Sequence, residues 1–271
     1  MFSSRVALRA LPFLVLYTNC IHSQPKDTSQ LVAVLVVGYA EESTKDFIDQ
    51  MNRVANFFTA HGVRVHKFYD RKAQWKLIAP VARDCNFFIY SGHGADVEKQ
   101  YLPGMLCIDT MVSSVELRKS LKFTKKPLVI YKSACFGAGS SASDTKDIGI
   151  GEARRRVLGY ARVYHDIGAS AYYAVNYHDT VVKFLKMFFN GQALRDSVLK
   201  NILSDCKIET DTRHPSIKGY SYSIVSNNSS GTCTSITYFD DNRKVVNHFP
   251  CFKSYDIAYV GPPNLKLADI K

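Results

Sequence analysis

Three apolar runs, each stopped by a glycine or a small-residue turn, constrain the fold more than any other feature of this chain. Residues 31–37 run without a break to Gly38. Residues 86–90 end in Ser91-Gly92-His93-Gly94, and residues 129–131, which follow Lys126-Pro127, lead into Lys132-Ser133-Ala134-Cys135-Phe136-Gly137. Continuous apolar runs of strand length read as strands buried on both faces, and a parallel sheet covered by helices produces such strands.

The segments between them have helical periodicity. Phe47, Ile48, Met51, Val54, Ala55 and Phe58 recur at helical spacing over 42–60, with Glu41, Glu42 and Asp46 near the start, where negative charge suits the helix dipole. A strand is expected over 63–69, a helix over 72–84 kinked or turned at Pro80, and a short strand over 105–109. A helix over 114–121 follows, with Ser113 or Ser114 as its cap. Beyond Cys135 come a loop of small and acidic residues over 137–151, a helix over 152–165, a strand over 169–175, and helices over 180–189 and 192–203. Strands alternating with helices predict an α/β fold, a mostly parallel sheet in a three-layer sandwich. From Gly219 strands and turn signals take over, so the expected organisation is a domain over 31–218 and a carboxyl-terminal β-rich extension over 219–271.

The first residues differ in character. Arg5 and Arg9 precede an apolar stretch over 10–18 broken only by Pro12, then Cys20 and a polar stretch over 23–30. This is the layout of a secretory leader over 1–23 and a linker over 24–30, with too few apolar residues to span a bilayer. Export to the cell envelope or the medium is the expectation, with membrane attachment only if Cys20 carries a lipid. The alternative is a cytoplasmic protein with an amino-terminal strand or tail. The net charge of +11 is scattered, and the short clusters Lys125-Lys126, Arg154-Arg155-Arg156 and Arg243-Lys244 read as solvated basic surface, so no nucleic-acid partner is expected. Cys85, Cys107, Cys206, Cys233 and Cys251 show no zinc-ligand spacing, and no metal or cofactor is expected; Cys233 and Cys251 are the pair to expect in an oxidising compartment.

In a doubly wound sheet the ligand crevice opens at the carboxyl ends of the strands, where His93 and Cys135 are both expected. A thiolate is a nucleophile, and a nearby imidazole can take its proton and pass it to a leaving amine. Gly92 and Gly94 let a substrate carbonyl approach the backbone, and the amides of Gly94 and Cys135 are candidate oxyanion donors. Small Ser133 and Ala134 leave room for a peptide. Asp144, Asp147 and Asp96 are candidate acidic wall residues for a basic side chain before the scissile bond, with helix caps and solvated turns as their ordinary roles. His178 is the rival base.

An apolar strand before Ser91-Gly92-His93-Gly94 and another before Ser133-Ala134-Cys135-Phe136-Gly137 resemble the paired His-Gly and Ala/Ser-Cys signature of the caspase-fold cysteine peptidases. Ser133 stands where caspases carry Gln and metacaspases carry Asp. The chain is most similar to CHAT-type domains, through Gly104-Met105-Leu106-Cys107-Ile108-Asp109, Ser133-Ala134-Cys135, residues 168–175 and Asn190-Gly191-Gln192-Ala193-Leu194, over residues 31–204 in all. The resemblance implies a caspase-like (flavodoxin-like) fold and a cysteine endopeptidase acting on peptides or proteins. His93 would be its general acid/base, Cys135 its nucleophile and Gly94 part of its oxyanion hole. Two other readings stand beside it: a silent or zymogen domain of the same fold that binds a partner through the 137–151 loop, and a phosphate-binding protein using Ser91-Gly92-His93-Gly94 as an anion loop. The latter lacks both nucleotide-binding glycine motifs.

Overall fold

A computed structural model describes residues 31–94, 104–176, 180–200, 206–227, 235–239, 245–250 and 252–270, with 235–239 and 245–250 as backbone only. The expected leader and linker with Cys20, and also Asp96, His178, Cys233 and Cys251, lie outside them.

The chain opens with β1 (Val32–Val37), every residue of which is buried. Next come α1 (Thr44–Ala60), β2 (Arg64–Tyr69), α2 (Trp75–Ala82) and β3 (Phe87–Ser91). A two-stranded ribbon, β4 (Met105–Leu106) and β5 (Met111–Val112), precedes α3 (Ser114–Ser120), whose N-cap Ser113 accepts the Glu116 amide. Then follow β6 (Leu128–Lys132), α4 (Gly149–Asp166), β7 (Ala171–Val175), α5 (Val181–Phe189) and α6 (Leu194–Leu199). The described chain is completed by β8 (Cys206–Arg213), β9 (Ser221–Asn227), β10 (Ser235–Phe239), β11 (Val245–Pro250) and β12 (Ser254–Gly261). Pro80 lies inside α2, which ends two residues later at Ala82. It has no amide to offer the Lys76 carbonyl four residues back, so the helix forgoes an internal hydrogen bond there.

The fold is mixed α/β around one large sheet with strand order β2-β1-β3-β6-β7-β12-β9-β8. The half from β2 to β7 is parallel, and the pairs from β7 to β8 are antiparallel. Because successive strand residues point to opposite faces, Phe87, Ile89, Leu128 and Ile130 join α1, α5 and α6 in one core, while Phe88, Tyr90, Val129 and Tyr131 join α2, α3 and α4 in the other. Each large apolar side chain fully buried in this way contributes about 1.5–3 kcal/mol. Helices cover both faces, as a three-layer sandwich requires, and among the described residues no helix is long and apolar enough to cross a membrane.

Two strands from the region past Gly219, β9 and β12, continue the sheet beyond β7, and β8 forms its outer edge. β8 had no counterpart among the expected elements. Its side chains are mostly exposed, so it carries none of the apolar patterning that marks a covered strand.

The solvated basic surface expected at Arg154-Arg155-Arg156 needs one correction. Arg156 is buried at 7% exposure, on the same stripe of α4 as Ala153, Val157, Tyr160 and Tyr164. Helical geometry puts positions three, four and seven apart on one face, so the third arginine of the run turns inward.

Candidate active site

β3 and β6 are adjacent and parallel, with Ser91 opposite Lys132 at their carboxyl ends. His93 therefore leaves the sheet two residues beyond β3 and Cys135 three residues beyond β6, side by side at one edge. Both line a cleft of about 440 Å³, together with Gly92, Ser133, Gln50 and Lys132. His93 is exposed and Cys135 half-buried. Apolar Phe47, from α1, and buried Asn176, just past β7, complete opposite parts of the wall.

The His93 turn is held from below. The buried hydroxyl of Tyr90 donates to the His93 carbonyl at 2.7 Å and accepts the Leu106 amide at 3.0 Å, tying the turn to the β4 ribbon. Gly92 has φ +148°, a backbone conformation that glycine tolerates, and a β-carbon there would lie 2.7 Å from the Tyr90 hydroxyl.

The Cys135 turn is more constrained. Ser133 and Phe136, on either side of Cys135, both have positive φ (53° and 66°), at a cost of about 1 kcal/mol or more each. Surrounding groups compensate. The Ser133 amide donates to the Val175 carbonyl at 2.8 Å, the Phe136 amide to Ser140 at 2.9 Å, Tyr160 to the Cys135 carbonyl at 3.3 Å and Tyr172 to the Gly137 carbonyl at 3.0 Å. Tyr90, Tyr131, Tyr160, Tyr164 and Tyr172 are all fully buried on this side of the sheet, and burial raises the phenol pKa of Tyr90, Tyr131, Tyr164 and Tyr172. Three of them, Tyr90, Tyr160 and Tyr172, spend their hydroxyls on main-chain carbonyls of the two turns.

The wall beside Cys135 is polar. Lys132 is buried at 1% exposure, and its ammonium donates to Gln50 Oε1 and, at 3.4 Å, to Ser133 Oγ. Ser133 lines the cleft. Asp144 and Asp147 do not. The Asp144 carboxylate receives both arms of Arg156, at 2.8 and 2.9 Å, and the Ser141 amide at 2.8 Å. Asp147 accepts the Gly149 amide at 2.8 Å ahead of α4, with Lys253 at 4.0 Å. Both aspartates serve the loop and the helix start.

Two other described thiols differ from Cys135 in environment. Cys85 and Cys107 are buried away from the cleft, and desolvation raises both, Cys107 to about 12, which keeps them as inert thiols. Among the described residues no group of three or more His, Cys, Asp or Glu side chains could hold a metal ion.

One functional-looking contact has no signature in the sequence. The amide of Ala142 points at Cys135 Sγ across 3.5 Å, because the 137–151 loop folds back over Cys135. A main-chain donor leaves no residue-type trace, although Arg156 at a core position of α4 was a sign that something nearby needed a buried cation. Compared with known proteins, the chain matches no family model and no curated protein.

Proposed function

We propose that the chain is a cysteine endopeptidase of caspase-like fold, with His93 as general acid/base and Cys135 as nucleophile. The observation that carries this reading is the delivery of both residues to one cleft from the ends of adjacent parallel strands, with the main chain of Gly94 packed against that of Cys135. In the proposed reaction, Cys135 Sγ attacks the scissile carbonyl carbon while its proton passes to His93. The tetrahedral oxyanion is met by the Gly94 and Cys135 amides. His93 then protonates the leaving amine, the C–N bond breaks, and a thioester remains on Cys135. Water attacks the thioester, His93 takes its proton, and C–S cleavage releases the carboxylic acid and restores the thiol.

The substrate on this reading is a peptide or protein. With Asp144 and Asp147 engaged in the loop, no carboxylate among the described cleft residues supports a basic preference before the scissile bond. The test is labelling by a panel of peptidyl acyl warheads, with the modified residue located by mass spectrometry. Modification of Cys135 that disappears in His93→Ala, with peptide hydrolysis lost in Cys135→Ala, is the expected result. Labelling indifferent to His93, or hydrolysis surviving in Cys135→Ala, would overturn the assignment and leave a silent binding domain as the better reading.

A further inference from the structure

Arg156 touches the loop around Cys135 at three separate places. Its guanidinium forks onto the two oxygens of Asp144 at 2.8 and 2.9 Å, donates to the Gly139 carbonyl at 3.0 Å, and lies over the Phe136 ring with 5.0 Å to the centroid. Glu152, one helical turn back on α4, accepts from its Nε at 3.0 Å and fixes the side chain from behind. The Asp144 so held caps a tight turn: it accepts the Ser141 amide at 2.8 Å, and its own amide donates to the Ser141 carbonyl at 3.1 Å. Ala142 occupies the second position of that turn, and its N–H is the group aimed at Cys135 Sγ, 3.5 Å away. The loop is pinned on its other side as well, where Ser140 exchanges hydrogen bonds with the Tyr255 main chain at 3.1 and 2.7 Å.

We propose that Arg156 is a positioning residue for the nucleophile: by clamping Asp144 it holds the Ala142 N–H against Cys135 Sγ, and that N–H stabilises the thiolate. The inference rests on the peptidase reading only in taking Cys135 as the reacting group. A hydrogen bond to a charged acceptor is strong when the donor is preorganised, and it is weak when the acceptor is a neutral thiol. The contact therefore favours the ionised form selectively, which a purely structural contact would not do. A planar fork suits this task because it fixes Asp144 in orientation as well as in distance, which a lysine ammonium does not. Asp144 and Arg156 are both nearly inaccessible, with side chains 7% and 9% exposed, so the pair keeps its geometry without competition from water.

The test is the pH profile of Cys135 alkylation by iodoacetamide, measured on the full chain by quantitative mass spectrometry of the Cys135 peptide. Ala142→Pro deletes the N–H at a turn position that suits proline, and Ala142→Gly is the control that keeps it. The expected result is a profile displaced to higher pH in Ala142→Pro, with alkylation near neutrality reduced about tenfold and rates converging with the wild type in alkali. Arg156→Gln shifts in the same direction, and Arg156→Lys, which keeps the charge and loses the fork, recovers part of the effect. A wild-type profile in folded Ala142→Pro, or a uniform reduction at every pH in folded Arg156→Gln, would overturn the proposal. Should Arg156→Gln fail to fold, Ala142→Pro and Asp144→Asn carry the test. Alkylation needs no peptide hydrolysis, so the two readings fail separately. An unchanged profile in an active peptidase sinks the clamp alone, whereas a displaced profile in a protein that cleaves no peptide sinks the peptidase alone.

Discussion

Gly94 lies directly against the main chain of Cys135: a β-carbon at position 94 would sit 2.1 Å from the Cys135 carbonyl oxygen and 2.9 Å from its amide nitrogen. The absence of a side chain at this position is what lets the His93 turn and the Cys135 turn touch. From the sequence alone, that glycine reads as making room for substrate. In the fold it makes room for the backbone of Cys135.

Gly94→Ala should therefore separate the two turns, since neither contacting atom belongs to a side chain able to swing away. A displacement of about 1 Å between reacting groups costs on the order of a hundredfold in rate. Peptide hydrolysis by Gly94→Ala is expected to fall by at least about that factor, with far-UV circular dichroism nearly unchanged because Gly94 lies outside the large sheet and makes a single bridge, to Met105. Activity within threefold of the wild type would show that the close approach has no bearing on the reaction.

Tyr90→Phe removes one oxygen from beneath the His93 turn. The hydroxyl donates to the His93 carbonyl and accepts the Leu106 amide, and the ring is fully buried, so both partners lose a bond that water cannot readily replace. A stability loss of about 1–3 kcal/mol is expected in urea unfolding. Hydrolysis should fall more than this stability loss accounts for, because the carbonyl that loses its closer donor belongs to His93 itself; a variant with reduced stability and full activity would confine Tyr90 to a structural role.

Much of this architecture was legible because β1, β3 and β6 are covered on both faces, so burial shows in the sequence as unbroken apolar runs. The turns that follow them, with His93 and Cys135, could be located by the same signal. β8 was not legible, because an edge strand whose side chains mostly meet solvent has no such run. Nor were the clamps on the two turns. Tyr90, Tyr160 and Tyr172 look like ordinary core aromatics until their hydroxyls are seen to meet loop carbonyls. Asp144 reads as a loop acid until Arg156 is found turned inward from a basic triplet. Partners in these cases are 12 to 35 residues apart in sequence or held by main-chain atoms, and neither relation leaves a local pattern.

Asn86 ties the end of the described chain to the start of the sheet. Its side chain is fully buried at the entrance to β3, where Oδ1 accepts the Val32 amide at 3.0 Å and Nδ2 donates to the Ile270 carbonyl. Asn86→Ala leaves a buried donor and a buried acceptor unpaired, so a loss of about 2–4 kcal/mol is expected in chemical denaturation. Hydrogen exchange offers a second check: amides of β1 and of residues 267–270 should lose protection while those of β7 keep theirs. Uniform loss across the sheet would mean that Asn86 acts through global stability alone.

His165 should make the fold sensitive to mild acid. It closes α4 with its ring edge-on to Tyr220 at 5.0 Å; Nδ1 donates to the Ala169 carbonyl at 3.1 Å, and the buried Nε2 has no hydrogen-bond partner among the described residues. Burial is the main cause lowering its pKa, from 6.5 to about 4, and the nearby His214 adds to the effect. An unfolded chain takes up this proton near pH 6.5, whereas the folded one resists it until about pH 4, so between these values the unfolded state binds more protons. Stability from this group is thus complete above pH 6.5, declines as the pH falls, and stops declining below about pH 4, by at most about 3 kcal/mol in all. His165→Gln removes the titration, so the difference in unfolding free energy between pH 7 and pH 4.5 should be smaller in the variant than in the wild type. Carboxylates remote from position 165 titrate alike in both proteins and cancel in that comparison. An equal difference in the two would show that the ring is protonated in the folded state as readily as in the unfolded chain.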